Sequence, residues 1–236
     1  LLLSLISFLL HSYFDFKAAT LTTDISTLAY LASVLFLGIG FWRLDREHIV
    51  KKNYFLNSNE KILFFILLAF ATILRSYKLY AIGHLPEDIL WMEHAFLILE
   101  RTIRSPFLFV GDLSTNMPAY PVALFYLINN SVDFATRVPA VIYNLLFLIA
   151  LFFLCIETFG KKVAFWSLAI ATFSIWDIHN GRLAWHNLST NAFLTTASLL
   201  FFVRSLKYKS YTSLFLCGFI LGLAFNLLYI PALMIG

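Results

Sequence analysis

A helix needs roughly 20 mostly apolar residues to cross the hydrocarbon core of a bilayer. Runs of that kind recur along this chain at about 1–14, 25–42, 61–80, 138–157, 162–178, 188–205 and 211–235, the first of them short. Backbone polar groups in lipid have to be satisfied within the segment, so each run is expected to be a helix; all are too long for barrel strands. Composition agrees. The chain is 61% hydrophobic and 13% charged, against about 45–50% and about 25% for a soluble domain. Its 26 Phe suit hydrocarbon. These features predict an all-α membrane protein, a polytopic bundle of about seven transmembrane helices whose first partner is the lipid bilayer.

The net charge of +4 is a matter of topology rather than of nucleic acid, which is not expected as a partner. Arg43, Arg46, Lys51, Lys52 and Lys61 fall in one connection, Lys161 and Lys162 in another, and Arg204, Lys207 and Lys209 in a third. The alternate links are poorer, with Lys17 in the first and Arg182 alone in 179–187. Seven spans put these two sets on opposite sides, the basic set cytoplasmic. The stretch 81–137 is then exoplasmic, which means periplasm, cell exterior or endoplasmic reticulum lumen for a multi-pass protein of the plasma or inner membrane or of that organelle. The cysteines, Cys155 and Cys217, lie in apolar runs without metal or redox spacing and are expected to be buried thiols. The chain begins at Leu1 and ends at Gly236, in or directly after apolar runs, so trimmed ends are expected.

The 81–137 loop is too long for a connector and too apolar for disorder. Two segments in it, Ile89 to Ile103 and Tyr120 to Asn129, read as helices at the membrane surface. Leu85-Pro86-Glu87-Asp88 sets two carboxylates at the start of the first. Acids there serve as helix caps, or one serves as a general base at the membrane edge. Arg137, one residue before a proline-started helix in Ala135-Thr136-Arg137-Val138-Pro139-Ala140, is either a snorkelling anchor or a planar clamp for a phosphate. The link Trp176 to Asn187 holds His179, Arg182 and His186. The spacing of the two histidines matches no common zinc motif. No metal site is expected, though the acids leave room for a divalent cation; no other cofactor is expected.

Taken in order, these segments resemble the polytopic glycosyltransferases of the GT-C fold, in the branch of the protein O-mannosyltransferases and the lipid A aminoarabinose transferases. A span ending in Leu74-Arg75-Ser76-Tyr77-Lys78-Leu79 is followed by a proline, the acidic pair and Ala95-Phe96-Leu97-Ile98-Leu99. Met117-Pro118-Ala119-Tyr120-Pro121 is similar to the start of the family's second loop helix, and Ala135 to Ala140 to its Arg-Leu-Pro-Ser-Ala segment. Thr158-Phe159-Gly160-Lys161-Lys162 is similar to its cytoplasmic turn, and Gly181-Arg182 stands where that family has a Ser-Arg pair. The likeness covers about residues 61–236, with loop 81–137 inside it, and leaves 1–60 as an extension with two spans.

The resemblance implies an enzyme. It would transfer a sugar from a polyprenyl-phosphate carrier to the hydroxyl of an exoplasmic acceptor, a protein or a lipid, with inversion. By position Glu87 takes the place of the catalytic Asp and Asp88 that of the Glu beside it; by chemistry Asp88 is the alternative base. Arg137 would meet the donor phosphate and Arg182 would assist. Tyr120, His179 and His186 are candidate substrate contacts. The family reads Asp-Glu where this chain reads Glu-Asp, and a carboxylate misplaced by about 1 Å costs about a hundredfold in rate. The alternative is therefore a non-catalytic structural or accessory subunit of a larger membrane complex, with other membrane subunits as partners.

Overall fold

The computed structural model describes residues 22–45, 56–81, 86–100, 109–110, 114–115, 117–183 and 186–227. Helices dominate: α1 (Thr22–Asp45), α2 (Ser58–Ser76) with a 3-10 turn at Leu79–Ala81, α3 (Pro86–Leu99), α4 (Ala119–Ile128), α5 (Val132–Phe159), α6 (Lys161–Phe173), the short α7 (Ile175–Asn180), α8 (His186–Tyr208) and α9 (Tyr211–Leu227). A two-residue antiparallel pair, β1 (Phe109–Val110) and β2 (Ser114–Thr115), lies between α3 and α4.

Among the described residues two helices are long and apolar enough to cross a membrane, Ser58–Ala81 and Val132–Phe159. The remaining expected spans map differently. The 25–42 run is α1, and the 188–205 run is α8. The first run, 1–14, lies outside the described residues, as does the last part of 211–235. The 162–178 run is divided. Ser174 leaves the helix with φ −63° and ψ 117°, and its hydroxyl caps α7 by accepting from the Asp177 N–H at 3.4 Å. What remains as α6 is 13 residues, about 20 Å of helix.

The helix of Arg137 also begins earlier than its proline suggests. Ser131 supplies the N-cap, its hydroxyl accepting from the Phe134 N–H, so Pro139 stands inside α5 instead of starting it. The loop therefore ends at 131. Such a proline is tolerated where neighbouring helices surround it, and Pro139 is buried. The two helices expected within the loop are present as α3 and α4, the first offset by three or four residues and the second by one.

α5 is the axis, packing against α2, α4, α6 and, most extensively, α8; α9 covers α8, and α1 covers α9. One core joins Phe64, Leu67 and Ala71 of α2 to Leu148, Phe152, Cys155 and Ile156 of α5 and Ala164 and Leu168 of α6. The Phe64 and Phe152 rings lie 4.7 Å apart. A second core joins Trp91, Met92 and Ala95 of α3 to Ala119, Val122 and Ala123 of α4 and Ala135 of α5. Its small residues let the backbones approach closely. Large apolar side chains, among them Phe65, Ile73, Trp166 and Ile170, stand exposed on the outside. Cys155 is buried as expected, whereas Cys217 is half-buried.

Polar contacts tie the basic links together at one end. Lys161 Nζ meets Glu60 Oε2 at 2.8 Å. The buried Glu157 receives Lys207 Nζ at 3.3 Å and the Tyr208 hydroxyl at 2.8 Å. The buried Asp45 caps α9, accepting from the Ser210 hydroxyl at 2.7 Å and the Thr212 N–H at 2.8 Å. The other end of α2 and α5 carries Arg75 and Arg137, beside Asp88 at the start of α3.

Candidate functional site

The site grows from the turn that ends α2. Tyr77 leaves the helix in extended conformation and Lys78 takes φ 49°, the left-handed region that non-glycine residues seldom adopt. The turn presents three successive carbonyls, and two arginines distant in sequence take them. Arg182 Nη2 donates to Tyr77 O at 2.6 Å and to Lys78 O at 3.1 Å. Arg137 Nη1 donates to Leu79 O at 2.6 Å. Consecutive Cα atoms are about 3.8 Å apart, so both guanidinium groups sit on one turn.

Arg137 is 1% exposed and also meets Asp88, itself fully buried, with Nη2 at 3.1 Å from Oδ2. A second carboxylate, Asp133 one turn earlier on α5, lies 3.4 Å from the same nitrogen. Taking two charges into a dry setting is costly unless they pair with good geometry. The first turn of α3 and the second of α5 are thereby locked together.

Beneath this pair lies a polar network made by α2, α5 and α7. Arg75 is fully buried in the last turn of α2. Its Nε donates to Asn144 Oδ1 at 2.5 Å and its Nη1 to Thr172 O at 3.3 Å, and Nη2 donates to the Asp177 carboxylate. Asn144 Nδ2 donates to Asp177 Oδ1 at 3.1 Å. The break at Ser174 makes this possible, because it turns Asp177 back toward α2.

Of the residues singled out in the sequence, Asp88, Arg137 and Arg182 are brought to one place. Glu87 has its backbone in the first turn of α3, as expected, and its side chain lies outside the described residues; so does that of His186 at the start of α8. Tyr120 is half-buried in the first turn of α4, and His179 is exposed on α7, where its carbonyl accepts the Arg182 N–H at 3.1 Å. Among the described residues no group of three His, Cys, Asp or Glu side chains is gathered as a metal would require.

Asp133, Asn144 and Asp177 were not singled out in the sequence, and Arg75 stood there only as part of a motif. A signal existed, since an ionisable or amide side chain within an apolar run is expensive and seldom idle. His94 was also missed. It is buried on α3 with its edge to Trp91 and, among the described residues, no partner for Nδ1. Burial pushes its imidazole below the ordinary 6.5, against the opposing pull of Glu93. A groove of about 530 Å³ runs along α3 beside the ion pair, lined by Ile89, Met92, Glu93, Phe96, Glu100 and Val132 among others.

A family model described as dolichyl-phosphate-mannose-protein mannosyltransferase matches residues 114–236. The match takes in Arg137, Asn144, Asp177 and Arg182. It begins after Asp88, which joins these residues through its ion pair with Arg137. No curated protein and no solved structure matches the chain.

Proposed function

Because the chain belongs to the dolichyl-phosphate-mannose-protein mannosyltransferase family, we propose that it is a multi-pass membrane glycosyltransferase of the GT-C type, with about seven spans and the loop between α2 and α5 on the exoplasmic side. Its donor is a sugar on a polyprenyl phosphate, and its acceptor is the hydroxyl of a protein or a lipid. The observation that carries this reading is the convergence of Arg137 and Arg182 on the turn 77–79, with Asp88 paired to Arg137. The donor phosphate is a monoanionic diester that gains negative charge as the sugar leaves it, and its departure is helped by fixed positive charge. Arg182 suits that task best. It is half-buried, and among the described residues its Nε has no hydrogen-bond partner.

The reaction is a single displacement. The acceptor oxygen attacks the anomeric carbon as its proton passes to a carboxylate; the bond from that carbon to the phosphate oxygen breaks, and the polyprenyl phosphate leaves with the bonding pair. One displacement inverts the anomeric centre. Glu87 is the proposed base. Asp88 is committed to Arg137 and acts as its anchor, so the proposed division of labour follows position in the motif and not residue type. Tyr120, His179 and His186 are proposed substrate contacts.

The satisfied, buried Asp88–Arg137 pair also favours a second reading, a scaffold that keeps the fold and lacks chemistry. Purified full-length protein in lipid vesicles, given dolichyl-phosphate mannose and a hydroxyl-bearing peptide, separates the two. Release of dolichyl phosphate that disappears in Glu87→Gln and in Arg137→Ala supports the enzyme. Turnover untouched by both substitutions removes these residues from the mechanism, and no turnover by the unaltered chain selects the scaffold.

A further inference from the structure

We propose that Asn144 is a positioning residue for the anion site, setting through Gly181 where Arg182 presents its guanidinium group. The inference rests on the reading above, in which Arg182 meets the donor phosphate. Asn144 is 2% exposed in the middle of a long apolar helix. Its amide is fixed from both sides, the oxygen accepting from Arg75 Nε and the nitrogen donating to Asp177 Oδ1. A side chain held in this way has no slack.

Gly181 is pressed against it. A Cβ at 181 would lie 2.8 Å from Asn144 Cγ, 3.0 Å from Oδ1 and 3.1 Å from Cβ. The Gly181 backbone has φ −70° and ψ −10°, values open to any residue, so glycine is required here for space and not for conformation. The next residue is Arg182, whose side chain turns back to the carbonyls of Tyr77 and Lys78. Asn144 cannot yield without giving up Arg75 or Asp177, so any added volume at 181 displaces the 181–182 turn. The face of Asn144 thus acts as a stop that fixes the reach of Arg182.

The contact predicts a coupled pair. In the vesicle assay with dolichyl-phosphate mannose, Gly181→Ala raises KM for the donor by about tenfold, the scale of one hydrogen bond to a charged group, and leaves kcat within about twofold. In an Asn144→Ala background, where the contacts with Cγ and Oδ1 are gone and only the one with Cβ remains, adding Gly181→Ala raises KM by clearly less. Equal KM effects in both backgrounds, or a fall in kcat with KM unchanged, would overturn the proposal. Should Gly181→Ala fail to accumulate, the Asn144→Ala/Gly181→Ala chain decides: recovery of folded protein supports the contact, and continued failure overturns it. An unaltered chain that does not turn over the donor sinks the transferase reading instead. The 144–181 contact is then read from melting temperatures, and additive shifts overturn it.

Discussion

At the scale of single residues, the strongest constraint is the Asp88–Arg137 pair. Removing one partner of a fully buried ion pair leaves an uncompensated charge and costs about 3–5 kcal/mol. Asp133, more exposed at 26%, offsets part of that here. Asp88→Ala is therefore expected to lower the melting temperature in detergent substantially, and more than Asp133→Ala does. Equal, small shifts would mean the pair does not hold α3 to α5. His94 gives a pH dependence whose sign follows from burial. Its imidazole binds a proton less readily folded than unfolded, so the unfolded chain takes up protons first as pH falls below about 6.5. Stability is complete above that value and is lost on acidification through the depressed folded value. His94→Phe is expected to remove this share of the acid limb; parallel pH–melting curves for the two chains would refute it.

At the scale of elements, helix boundaries follow capping chemistry more than hydropathy. Ser131 starts α5 ahead of Pro139, and Ser174 splits an apolar run so that α7 carries Asp177 toward Arg75. Between α5 and α6, Gly160 takes φ 90° with its N–H on Cys155 O and Ile156 O. Nothing lies within 4 Å of a Cβ built there, so Gly160→Ala meets only backbone strain, about 1–3 kcal/mol for such a conformation. A lower melting temperature with the donor KM unchanged is expected. A melting temperature equal to that of the unaltered chain would show that the turn relaxes.

At the scale of the molecule, polar residues gather at two ends of an apolar bundle. One end has Glu60–Lys161, Glu157–Lys207 and the Asp45 cap; the other has Arg75, Asp88, Arg137 and Arg182. The proposed orientation makes the first end cytoplasmic. In a Cys155→Ser/Cys217→Ser background, a membrane-impermeant thiol reagent applied from the exoplasmic side is expected to modify Tyr77→Cys and to spare Lys209→Cys. The reverse pattern would invert the topology and end the exoplasmic reading of the loop.

What was legible in the chain by itself is what local physics dictates. Long apolar runs have to become helices in lipid, and α1, α2, α5, α8 and α9 stand where those runs lie. The acids after Pro86 open a helix because its N-terminus favours negative charge. Arg137 and Arg182 stood out as charges bordering apolar segments. Which groups pair did not, since pairing is a property of proximity and carries no local signal. Asp88 and Arg137 are 49 positions apart, and Arg75 and Asp177 are 102. Only the packing of α2, α3, α5 and α7 brought these groups together. It did so because a buried charge in a dry bundle has to find its counter-charge or a carbonyl wherever the chain supplies one.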